Sequence, residues 1–167
     1  EIVQLCHDFF PAQPVPEYPL DMVFGPAGDE YVSFANRAWN QVDPDCYSRL
    51  GYDISPAIGF SLHDPPHMWS YYLPGFLTSC LLHEGEHEIV DGILSGLQDM
   101  ALPPCLQVTL APWWGGTVPM ENYSVEQRRL VVRFLEFIRD YGSGKPFYYY
   151  WRRSDDRTLS RWLGNSR

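Results

Sequence analysis

Lysine is almost missing from this 167-residue sequence: Lys145 stands alone among the twelve cationic side chains, and only Arg37 and Arg49 precede residue 128. The first 127 residues set seventeen carboxylates against those two arginines, a net charge of −15. Residues 128–167 reverse the balance, with ten cations against Glu136, Asp140, Asp155 and Asp156, a net +6 within an overall −9. Phosphates would repel the larger part of such a chain, so a general nucleic-acid binder is disfavoured and only the C-terminal segment is left for such contact. The asymmetry suits a basic C-terminal layer packed on an acidic body, or an acidic surface turned toward a basic partner.

Other absences narrow the field further. Cys6, Cys46, Cys80 and Cys105 are far apart and form no CxxC pair, so they read as reduced, partly buried thiols and not as a disulfide framework. No apolar run approaches the roughly 18 residues that a transmembrane helix needs. No basic stretch followed by an apolar one marks a secretory leader, and a cytoplasmic location is the expectation. The sequence has no GxxxxGK[ST] loop, no GxGxxG after a strand and no GxSxG elbow, which removes the usual grounds for a nucleotide-binding or serine-hydrolase reading. No cofactor is expected. What remains is 45% hydrophobic, 16% aromatic and 20% charged, the profile of one globular domain spanning 1–167 that buries enough apolar surface to fold without a staple.

The patterning predicts a mainly α domain with a minor short β element. Five prolines between residues 10 and 28 predict that 1–28 is an extended, proline-rich strap, opening with a short edge strand near Ile2–Leu5. Asp29 is a candidate cap for a first helix carrying Phe34, Ala35, Ala38, Trp39 and Val42 at helical spacing. Asp43-Pro44 restarts a short helical turn, aspartate as cap and proline at the first helical position. The same signal at Asp64-Pro65-Pro66 opens a buried helix from His67 to Leu82, in which Pro74 predicts a kink or break. Residues 88–100 form an amphipathic helix through Ile89, Val90, Ile93, Leu94 and Leu97, and Leu106, Val108 and Leu110 alternate as a short strand does. Ser124-Val125-Glu126-Gln127 is a capping box opening a helix with Leu130, Phe134, Phe137, Ile138 and Tyr141 as its buried stripe, stopped by Gly142. After the basic, aromatic segment 142–167 begins, Asp155 or Asp156 caps a last helix with Leu159, Trp162 and Leu163.

Three blocks in this order resemble a bacterial family known only as a domain of unknown function. They are Ala38-Trp39-Asn40-Gln41-Val42; Phe60-Ser61-Leu62 leading into Tyr71-Tyr72-Leu73-Pro74-Gly75-Phe76-Leu77; and Ser124-Val125-Glu126-Gln127 leading into Val132-Arg133-Phe134-Leu135-Glu136-Phe137. The likeness covers about residues 38–141 and leaves the first 28 residues and the 142–167 tail unmatched. It implies a small helical cytoplasmic domain, sometimes grouped with immunity-like accessory proteins, and brings no catalytic residues with it.

Several motifs carry possible chemistry. His83-Glu84-Gly85-Glu86-His87 satisfies HExxH, in which one helix turn presents two histidines to zinc and the glutamate activates water. On a continuous helix Cys80, His83 and His87 share one face as three tetrahedral ligands. Gly85 in mid-motif and the crowding of Glu84, Glu86 and Glu88 argue instead for a solvated acidic connector between helices. His63 and His67 are four apart but separated by Pro65-Pro66, which disfavours one regular helix through both. Cys6-His7-Asp8 holds the residue types of a catalytic dyad, yet chain neighbours seldom face one another. Tyr148 to Arg153 interleaves aromatics with arginine, the composition that stacks bases and grips phosphates, although alternate core aromatics explain it as well. Trp113-Trp114 beside Gly115-Gly116 is a candidate aromatic anchor.

The resulting expectation is a non-enzymatic binding protein, immunity-like, that neutralises a cognate protein toxin or another basic partner. Its candidate contact residues are Glu84, Glu86, Glu88 and Asp91, with Asp43 and Asp45 as a second patch and Trp113 and Trp114 as anchors. Membrane and nucleic-acid partners are not expected. Zinc at Cys80, His83 and His87 and nucleic-acid contact through the C-terminal segment are the alternatives.

Overall fold

The computed structural model describes residues 1–15, 37–47, 66–82, 87–102, 120–141 and 153–165. Every regular element among them is helical. The main helices are α1 (Ile2–Phe9), α2 (Pro66–Leu82), α3 (His87–Met100), α4 (Val125–Tyr141) and α5 (Arg153–Asn165). Two 3-10 turns, Trp39–Gln41 and Met120–Asn122, and a helical turn over 44–47 complete the set.

The helices close on one another. α1 packs against α2 and α4, α4 against α5, α5 against α3, and α3 against α2, so the contacts run full circle around one core. That core holds Cys6, Phe10, Trp39, Tyr47, Tyr72, Leu73, Phe76, Leu77, Ile93, Leu97, Leu130, Val131, Phe134, Leu135 and Trp162 among others. Each large apolar side chain taken fully out of water contributes roughly 1.5–3 kcal/mol before chain entropy is set against it.

The N-terminus departs from expectation. Residues 2–9 are a helix and not an edge strand, because Ile2, Leu5, Cys6 and Phe9 recur at helical spacing and α2 and α4 offer two walls to bury that face. The extended course begins only at Phe10 (φ −114°, ψ 111°), and 16–28 of the expected strap lie outside the described residues. The helix expected through Ala38 and Val42 is likewise corrected: Ala38 and Val42 are both extended and only Trp39–Gln41 turns. Residues 29–36 and the strand expected at 106–110 are not among those described.

Elsewhere the expected helices are present. α2 runs through Pro74 without ending, since burial of Tyr72, Leu73, Phe76 and Leu77 outweighs the loss of one backbone donor. At α4 the Ser124 backbone N–H donates to Gln127 Oε1 at 2.9 Å and the Gln127 N–H donates to Ser124 Oγ at 3.2 Å, the reciprocal capping box. Phe137 is 36% exposed and falls off the expected stripe, while Val131, Val132 and Leu135 are buried. α4 lies between α1 and α5 and so buries two faces. α5 begins at Arg153, two residues before Asp155, which is buried in its first turn instead of capping it from outside.

Side chains bind the irregular backbone to these helices. Trp39 Nε1 donates to the Phe10 carbonyl (3.3 Å), Tyr71 Oη to Ala12 (2.7 Å), Tyr72 Oη to Arg37 (3.0 Å) and Gln127 Nε2 to Phe9 (3.1 Å). Carbonyls left without a ladder partner are satisfied in this way, at about 0.5–1.5 kcal/mol net for each bond.

Candidate functional site

The acidic turn at Asp43-Pro44-Asp45 is the part of the expected contact surface whose side chains the structure describes. Asp43 Oδ1 accepts the Asp45 backbone N–H at 3.0 Å, the capping bond that the Asp-Pro signal predicts. Behind it Ser79 Oγ, fully buried, donates to the Pro44 carbonyl at 3.0 Å. Tyr47 Oη donates to the Trp39 carbonyl at 2.8 Å, and the Tyr47 ring stands edge-on to Phe76 at 4.9 Å. A Cβ on Gly75 would overlap that ring, so glycine lets the turn approach the α2 backbone. Asp43 and Asp45 are exposed on this clamped turn.

Charge is separated around the helix ring. Among the described residues every arginine except Arg37 lies on α4 or α5, the two helices that are not ring neighbours of α2. Asp43 and Asp45 sit on the α2 side. On the basic side Arg133 Nη1 meets Glu1 Oε1 at 2.8 Å with both side chains largely exposed, an ion pair of small net stabilisation. The Asp140 carboxyl is held below its ordinary range by its hydrogen bond from Arg139, and Glu126 by hydrogen bonds from its own N–H and from Ser124, with Arg129 and Arg128 adding to it.

The remaining candidates scatter. Glu88 and Asp91 lie one turn apart at the start of α3. Glu84, Glu86, Trp113, Trp114, His63 and His83 lie outside the described residues, as does the 148–152 stretch. Cys80 is buried on α2 while His87 opens α3, so two separate helices carry them. Among the described residues no group of three His, Cys, Asp or Glu side chains could hold a metal ion. Cys6, His7 and Asp8 sit on α1 with Cys6 buried and the other two exposed. The His7 ring lies tilted against Trp39 at 4.8 Å and Asp8 accepts from Gln4, so the three form no dyad. Cys6, Cys46 and Cys80 are buried and in no disulfide, in keeping with the expected reduced thiols; Cys105 lies outside the described residues.

Among the described residues three buried polar atoms make no hydrogen bond: Thr78 Oγ1, Tyr123 Oη and Arg128 Nε. Burial pushes the Cys6 thiol up to about 11, partly offset by nearby Thr78, and pushes the Tyr123 phenol upward against a smaller effect of Ser70. A protonated thiol is a poor nucleophile. Sequence patterning does not single out Tyr47 and Ser79, which seat the acidic turn, nor the tie from Tyr72 to the Arg37 carbonyl. Their long-range partners, Trp39, Arg37 and Pro44, leave no local pattern to read.

No helix among the described residues is long and apolar enough to cross a membrane. Comparison with protein-family models, curated proteins and solved structures yields no match.

Proposed function

We propose that this chain is a non-enzymatic binding protein that presents an acidic face to a basic protein partner, in its most concrete form an immunity-like protein covering the working surface of a cognate toxin. The observation that supports the reading is the separation of charge: exposed Asp43 and Asp45 on a turn clamped to α2, with the arginines of α4 and α5 across the ring. A rigid acidic patch steers a basic partner during encounter and fixes its register. Glu84, Glu86, Glu88 and Asp91 extend the acidic face in this proposal, and Trp113 and Trp114 supply its apolar anchors.

The test is titration of the purified chain against basic proteins encoded by neighbouring genes. Saturable binding whose association rate falls steeply with salt, and drops at least tenfold in Asp43→Lys/Asp45→Lys, is the expected result. Absence of any saturable partner, or binding indifferent to both salt and charge reversal, overturns the proposal. Mass spectrometry of protein purified without a metal column decides the zinc alternative: one zinc per chain moves the site to the histidine cluster.

A further inference from the structure

We draw no further inference here: the strongest candidate, the buried hydroxyl of Tyr123, whose ring stands edge-on to Phe10 and Trp162, makes no hydrogen bond among the described residues, but it is a single polar group and nothing in the structure shows what would reach it.

Discussion

The Tyr47 ring occupies the space in which a side chain at Gly75 would begin. Gly75 lies inside α2, where replacing glycine by alanine ordinarily stabilises a helix by about 1 kcal/mol. Here overlap decides the sign, and Gly75→Ala is expected to destabilise by roughly 1–3 kcal/mol. Gly164, on α5, is the control, because a Cβ there would meet nothing within 4 Å. Gly164→Ala should be neutral or stabilising by a few tenths of a kcal/mol, as befits a helix end. Urea denaturation of both variants checks the pair. If Gly75→Ala is no worse than Gly164→Ala, the close approach of Tyr47 to α2 does not hold.

Gln127 does two tasks that a glutamate cannot combine. Its Oε1 accepts from Ser124 and its Nε2 donates to the Phe9 carbonyl, 118 residues away in sequence. Helix-capping rules treat Glu and Gln alike at this position, and the dipole favours Glu. Gln127→Glu keeps the cap but turns a carboxylate toward a carbonyl, so we expect a loss of about 1–2 kcal/mol at neutral pH, partly recovered on acidification as the carboxyl gains a proton. Equal stability of the two proteins at pH 7 would mean that the Phe9 contact contributes nothing.

Trp162 is fully buried and its Nε1 donates to the Leu97 carbonyl at 3.0 Å, joining α5 to α3. Trp162→Ala is expected to cost about 3–5 kcal/mol, and Trp162→Phe about 1–3 kcal/mol from lost contact and the lost indole hydrogen bond, the Leu97 carbonyl keeping its bond from the Ala101 N–H. Thermal denaturation followed by near-ultraviolet circular dichroism ranks the two. Either variant melting with the parent would mean that α5 is not docked through this residue.

Alkali should weaken the fold through its buried thiol and phenols. The Cys6 thiol moves from its ordinary 9.0 to about 11 because it is buried. A group whose pKa rises on folding keeps its proton longer in the native state, so its stabilising contribution is complete below about pH 9 and is lost as pH climbs toward about 11. The shift corresponds to on the order of 2–3 kcal/mol. Burial also pushes Tyr47 and Tyr123 above their ordinary 10.0, which extends the loss to higher pH. The urea midpoint should fall across the window from about pH 9 to about pH 11, and Cys6→Ala should flatten that fall. A flat profile in the parent protein contradicts the burial of these groups.

Much of the helical framework is legible because its signals are local. The Asp43-Pro44 turn, the Ser124–Gln127 capping box and the stretches that form α2, α3 and α4 each announce themselves within a few residues. α1 is harder to read: its apolar spacing is only two turns long and adjoins a proline-rich stretch, and it is helical because α2 and α4 receive it. Phe137 misleads for the related reason that a helix between two neighbours chooses its buried faces by where they stand. At the candidate site the carboxylates of Asp43 and Asp45 are visible in the sequence. The Ser79 and Gly75 contacts that seat their turn join residues far apart in sequence, 35 positions for Ser79 and Pro44, and have no signature along the chain.

The closed circuit of helices also sets an order of assembly during synthesis. α1 emerges before the other described helices, yet one wall of its seat belongs to α4, whose Gln127 reaches Phe9 across 118 residues of sequence. At ordinary elongation rates of about 5–20 residues per second, that partner arrives roughly 6–24 s later. Through that interval the apolar side of α1 lacks at least its α4 wall, and ribosome-arrested chains ending before residue 120 should leave Cys6 open to alkylation that the released protein resists. The nascent chain is therefore most vulnerable where the finished protein is most enclosed.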